Sequence, residues 1–330
     1  MSEPVGYPSG YDPEFLTPEE AILLKGTTPG VNMADYAKRT SAHARWVVQG
    51  LVPAGGISAI YGPPKRARKS FLAIQMARAI AAGEPFLGTF GVSEPATVLF
   101  VQLDTPQSIW QERYEQLETA GVTFPDEVKQ RIITVDATDI FPLDIGSPKG
   151  QAFVRYHVRK FKPAVVIFDV LRKIFKGSED DNAVIEQAMS DMKSAAFPAA
   201  VLFITHAKKT TQGYDGGTMN ELRGSSHIGG SCDTVMRVKP PTRQRKFTQL
   251  CVEGRAVPTV DYPMRSLDNQ FYELIVDEWA NAIERISNKL DNQEFDSISD
   301  AARYLATATG KSIDTCRMAI TRFRQAAEED

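Results

Sequence analysis

The stretch from Ile57 to Ser70 constrains the chain more than any other. Ile57-Ser58-Ala59-Ile60-Tyr61 is a short apolar run that suits a buried strand. Phe71, Leu72, Ile74, Ala77 and Ile80 then recur at helical spacing. Between them lie Gly62, Pro63, Pro64, Lys65, Arg66, Ala67, Arg68, Lys69 and Ser70. A strand that feeds a helix through Gly, Lys and Ser is the layout of a phosphate-binding loop. The chemistry follows from the helix N-terminus, where free backbone N–H groups and the dipole both favour an anion. In that layout Lys69 reaches the outer phosphates of a nucleotide and the Ser70 hydroxyl holds Mg²⁺.

The loop departs from the usual G-x-x-x-x-G-K-[ST] pattern. Five residues separate Gly62 from Arg68, and Arg68 stands where the second glycine is expected. The bland alternative is a basic turn ahead of an amphipathic helix, so the rest of the chain has to decide. Ala96–Leu103 and Lys162–Asp169 are near-continuous apolar runs, the pattern of parallel strands covered on both faces. The second ends in Asp169, whose carboxylate would emerge at the strand end where ligands of open α/β sheets bind. That position suits a Mg²⁺ ligand; the alternative is an acid that merely ends a strand. Ala199–His206 is a third such run. Residues 207–231 form a long Gly-rich polar stretch, and loops of that length are commonly functional or disordered. Asp233–Val238, Lys246–Glu253 and Gln270–Val276 read as strands of an antiparallel extension.

Three segments emerge: residues 1–45 as an N-terminal arm, 46–279 as an α/β core and 280–330 as a small C-terminal helical module. The arm is rich in Pro, Gly, Ser and Thr, with a helical patch at Pro18–Leu24, and either lies loose or docks on a neighbouring subunit. The module is expected to be helical throughout. Ser297, Ser299 and Ser312 serve as caps of helices over Asp300–Ala308 and Ile313–Ala327. Arg317, Arg322 and Arg324 lie on the second, so helix-turn-helix DNA binding and plain helical packing both remain open. The net charge of −3 excludes nucleic-acid binding through bulk charge, leaving local basic loops to do it. Three cysteines without metal spacing, and no run long enough to cross a bilayer, set the expectation of a cytoplasmic protein with reduced thiols and no membrane partner.

Taken together, Gly62-Pro63-Pro64 with Lys69-Ser70, Leu103-Asp104-Thr105-Pro106, Ile167-Phe168-Asp169, Phe203-Ile204-Thr205-His206 and Leu222-Arg223-Gly224-Ser225-Ser226 resemble RecA-like ATPases over about residues 46–276. The branch they look most like is the plasmid RepA-type hexameric replicative helicases and their phage and mobile-element relatives. The resemblance implies a RecA-like P-loop NTPase fold and ATP with Mg²⁺ as cofactors. It implies a homo-oligomer, expected to be a hexamer, acting on single-stranded DNA, with a replication initiator or primase as a further partner. By position, Lys69 and Ser70 would bind phosphates and Mg²⁺, and Asp169 would be the metal acid. His206 resembles the residue that senses the γ-phosphate, its alternative being a histidine satisfied at a strand end; Arg223, with Arg237 as rival, would be an arginine finger for the next subunit or would merely brace the loop. Asp104 stands where the family usually has Glu as the base that orients water, one methylene shorter; its alternative role is a helix cap. Lys208 and Lys209 would face a DNA channel. The rival expectations are a nucleotide-dependent DNA-binding or scaffold protein with little turnover, and a filament-forming recombination or repair ATPase.

Overall fold

The computed structural model describes the chain apart from residues 1–11, 13, 15–16, 25–26, 28, 40–44, 65–66, 138, 141, 208–226, 243–246, 268–270, 275–282, 284–285, 288, 292, 310–311 and 330. The chain forms two compact units, Met1–Arg45 and Trp46–Asp330. In the first unit, α1 (Pro18–Leu23) begins with a reciprocal cap. The Glu20 amide donates to the Thr17 hydroxyl and the Thr17 amide donates to the Glu20 carboxylate, which satisfies two otherwise orphaned donors. A second helix, α2 (Met33–Arg39), has no counterpart in the sequence reading.

In the second unit, β1 (Trp46–Val48) and β2 (Val52–Pro53) pair as a small antiparallel ribbon. The other nine strands form one sheet: β3 (Ile57–Gly62), β4 (Val98–Gln102), β5 (Ile132–Val135), β6 (Val165–Asp169), β7 (Ala200–His206), β8 (Thr234–Lys239), β9 (Thr248–Gly254), β10 (Val260–Leu267) and β11 (Phe271–Leu274). Their order is β11-β10-β9-β8-β3-β7-β6-β4-β5. From β8 to β5 neighbours run parallel, and from β8 to β11 they run antiparallel. The expectation that Asp233–Val238 belongs to the antiparallel extension holds on its β9 side, where the two strands pair antiparallel, and is corrected on its β3 side. β8 lies parallel to β3, with Ala59 opposite Val235, because the chain crosses over from β7 through a long connection before entering it. β10 escapes the sequence reading because Asp261 and Pro263 interrupt its apolar pattern.

Alternation within each strand explains the unbroken apolar runs. Ile60, Phe100, Ile167 and Leu202 face one core, covered by α3 (Lys69–Ala82), α4 (Gln107–Thr119) and α5 (Asp126–Arg131). Their neighbours Tyr61, Val101, Phe168 and Phe203 face a second core, covered by α6 (Pro148–Phe161), α7 (Asn182–Ala196) and α8 (His227–Ser231). Strands with helices on both faces have no side to expose to water, so both alternating sets are apolar. The result is a doubly wound RecA-like P-loop core with C-terminal helices.

The last helices are α9 (Ile298–Thr309) and α10 (Ile313–Glu329), packed over a small separate core that includes Ile283, Ile286, Leu305, Cys316 and Ile320. Ser297 and Ser312 cap them by accepting the amides of Asp300 and Thr315. Ser299 does not cap; it lies inside α9. Nor is residues 280–330 helical throughout: residues 293–297 form a turn, entered through Gln293 at φ 58°. Arg324 ties this module together by donating to Asp291 at 2.7 Å and to Ser287, whereas Arg322 is exposed and Arg317 pairs with Asp314 on its own helix. All three cysteines are buried free thiols. Among the described residues no helix is long and apolar enough to cross a membrane.

Candidate nucleotide site

Parallel strands bring all their C-terminal ends to one edge of the sheet, and four of these ends are adjacent. Gly62 of β3 pairs with His206 of β7, and Gln102 of β4 pairs with Asp169 of β6. A cavity of about 450 Å³ opens over this edge. Pro64, Arg68, Lys69, Ser70, Asp104, Arg113, Asp169 and His206 line it, so residues from four strand ends converge on one space. Pro63 and Ala67 belong to the loop without lining the cavity. Arg237 sits in β8 opposite Tyr61 and is not among the lining residues. Lys65, Arg66, Arg223, Lys208 and Lys209 lie outside the described residues.

The loop's backbone explains its sequence. A Cβ on Gly62 would fall 2.5 Å from the Val238 carbonyl oxygen and 3.0 Å from the Ala67 Cβ, so β8 leaves room only for glycine. Arg68 takes φ 42° and ψ 40° and serves as the N-cap of α3. That left-handed geometry is the one glycine adopts without strain, so Arg68 fulfils the backbone role of the absent second glycine at a cost of about 1–2 kcal/mol. Help comes from across the fold. The Tyr272 hydroxyl of β11 donates to the Ala67 carbonyl at 3.3 Å. The Gln75 side chain donates to the Tyr272 carbonyl at 3.1 Å and accepts its amide at 3.0 Å. Tyr272 is fully buried, so these bonds are shielded from competing water.

The charges are arranged for an anion and a cation. Lys69 is buried, and its Nζ donates to the carbonyls of Gly62 at 3.0 Å and Pro63 at 3.3 Å. It also lies 3.3 Å from His206 Nδ1. An ammonium can only donate, so while Lys69 is charged Nδ1 is the acceptor in this contact. Burial pushes Lys69 down from 10.5 to about 8, while the Asp169 and Asp104 carboxylates pull it back up. Burial pushes Asp169 up, against a hydrogen bond from Ser70 and the positive charge of Arg113. One buried oxygen of Asp169, Oδ2, has no hydrogen-bond partner. A buried, unsatisfied carboxylate oxygen beside a serine hydroxyl and a lysine fits a magnesium nucleotide, which supplies both the missing cation and the missing anion.

Asp104 is exposed at the cavity and does not cap α4, whose N-cap is Pro106. Its turn is set by Gln102, a buried side chain that accepts the amides of Asp104 at 3.2 Å and Thr105 at 3.0 Å and donates to the Thr105 carbonyl at 2.7 Å. Gln102, Arg113, Gln75 and Tyr272 were all missed by sequence reasoning. Only Gln102 carried a signal, as a polar residue ending an otherwise apolar strand. A family model described as an AAA domain matches residues 23–212, more than half of the chain. No curated protein matches the chain.

Proposed function

The chain belongs to the AAA domain family, and on that premise we propose that it is an ATPase that couples Mg²⁺-ATP hydrolysis to movement on single-stranded DNA, as a ring-forming homo-oligomer of the replicative helicase type. The observation that carries the nucleotide part is the convergence of Lys69, Ser70, Asp104, Asp169 and His206 on one cavity. The loop amides and Lys69 bind the phosphates, and Ser70 with Asp169 hold the metal. When bound, Mg²⁺ neutralises charge on the phosphate oxygens. Asp104 orients the attacking water and accepts its proton as the water oxygen bonds to the γ-phosphorus and the bond from that phosphorus to the leaving ADP oxygen breaks. Arg113, on the same cavity wall, adds positive charge where negative charge develops. His206 touches Lys69 and heads the segment that leads to Lys208 and Lys209, so it links phosphate occupancy to a DNA-binding loop.

Ring formation, single-stranded DNA, a finger role for Arg223 or Arg237, and an initiator or primase as partner rest on the likeness to the helicase branch. The altered loop and the short Asp104 carboxylate favour a second reading, a nucleotide-dependent DNA-binding or scaffold protein with little turnover. Steady-state phosphate release with and without single-stranded DNA separates the two. DNA-stimulated turnover supports the motor; bound ATP without DNA-stimulated release refutes it and supports the scaffold.

A further inference from the structure

The outward face of α6 takes no part in the nucleotide site. From Lys149 to Lys162 the chain carries Lys149, Arg155, Arg159, Lys160 and Lys162 and no acid, within a protein of net charge −3. Val154 and Val158 are buried, which turns Tyr156, Arg159 and Lys160 to solvent. None of these cations forms an ion pair among the described residues. A depression of about 460 Å³ runs along this face, between Arg155, Tyr156, Arg159 and Lys160. Aromatic rings are interleaved with the charges. His157 lies 4.4 Å from Phe153, 5.2 Å from Tyr156 and 6.0 Å from Phe161. Lys160 Nζ stands 5.6 Å from the Tyr156 ring centre, and Tyr156 is 55% exposed. Because α6 leads directly into the start of β6, its basic C-terminal end lies at the sheet edge opposite the nucleotide cavity.

We propose that this face of α6 is a binding track for single-stranded nucleic acid. A row of cations gives phosphate contacts, and an exposed ring between them gives a platform for an unpaired base. Base pairing would hide that base, so a single strand fits and a duplex does not. An acidic polypeptide would use the cations and leave the ring idle. The site needs no nucleotide and stands or falls independently of the ATPase reading.

The test is fluorescence anisotropy of labelled oligothymidine on the full chain, without nucleotide, over about 50 to 200 mM salt. Arg159→Glu with Lys160→Glu is expected to weaken binding about tenfold or more and to flatten the log–log salt slope by about 1.4, at ~0.7 per lost phosphate contact. Tyr156→Ala is expected to weaken binding about fivefold or more while leaving the slope unchanged, the mark of lost stacking. Both losses persist in a Lys208→Glu, Lys209→Glu background, which separates this face from the loop. Lys38→Glu with Lys129→Glu, a reversal of two exposed charges elsewhere, leaves binding intact. Unchanged affinity in the α6 variants, or an equal loss in the Lys38/Lys129 pair, overturns the proposal. So does polyglutamate binding that depends on Arg159 and Lys160 while oligothymidine binding does not.

Discussion

Lys69→Met separates what the site does for the nucleotide from what it costs the fold. Lys69 is 6% exposed, and burial lowers its proton affinity from 10.5 to about 8. That difference disfavours the charged form by about 3 kcal/mol at neutral pH. Methionine keeps the length and most of the packing and removes the charge. Against the gain stand the lost hydrogen bonds to the Gly62 and Pro63 carbonyls and to His206 Nδ1, and a lost countercharge for Asp169. The Gly62 carbonyl still accepts the Ala207 amide at 3.1 Å, and Pro63 is half-exposed and can turn to water. Lys69 is also the smallest of the charges acting on Asp169. The net expectation is a ligand-free variant more stable than the parent by about 1–2 kcal/mol, or roughly 2–4 °C in Tm. The parent should then gain about 2.7 kcal/mol from Mg²⁺-ATP at about a hundred times its Kd, and the variant nothing. The order of the two Tm values therefore reverses on adding nucleotide, read by differential scanning calorimetry. The sign with pH is fixed as well. Below about pH 8 both folded and unfolded Lys69 are protonated and the cost is complete. Between about 8 and 10.5 the unfolded chain holds a proton that the folded chain has released, so the parent gains stability relative to the variant as pH rises. A ligand-free variant several degrees less stable than the parent, or one still stabilised by Mg²⁺-ATP, refutes the reasoning.

Other substitutions probe the loop. Gly62→Ala places a methyl 2.5 Å from a backbone oxygen of β8 that cannot swing away, so a loss of about 1–3 kcal/mol in urea unfolding is expected, with weakened nucleotide binding. Arg68→Gly removes a side chain from left-handed backbone; its urea midpoint should rise, by up to about 1 kcal/mol of stability, while nucleotide affinity falls with the lost charge. Tyr272→Phe deletes only the hydroxyl that holds the Ala67 carbonyl. Stability should drop by about 1 kcal/mol or less, and equilibrium binding of a fluorescent ATP analogue should weaken several-fold more than kcat falls.

The parts of the fold that could be read in advance are those whose physics is local. β3, β4, β6 and β7 announce themselves because burial on both faces makes nearly every residue apolar, and Asp169 and His206 stand out as polar groups that end such runs. The direction of β8 could not be read, because a strand's own residues do not record which neighbour it will join. β10 was hidden by Pro263, which is tolerated opposite Gln249 although it brings no amide to the ladder. Arg113 reaches the cavity only because α4 packs against β4, where Trp110 lies 4.6 Å from Phe100. The Tyr272 brace joins residues 205 apart in sequence, a relation that no spacing rule contains.

That brace bears on how a loop lacking its second glycine can still hold a phosphate-binding shape. Arg68 has to remain left-handed, a state an ordinary residue leaves at a gain of about 1–2 kcal/mol. A shielded hydrogen bond to the preceding carbonyl returns about 1 kcal/mol, and it acts only while that carbonyl points at Tyr272. Tyr272 is in turn fixed by the two-way bond between its backbone and Gln75, about two turns into the helix that Arg68 caps. Loop, helix and β11 thus form a closed circuit in which each member sets the next. Glycine would let the loop reach this shape by itself. With Arg68 in that place, the shape depends on the edge hairpin of β10 and β11, so displacement of the hairpin loosens the nucleotide loop without any change in the residues that touch the phosphates.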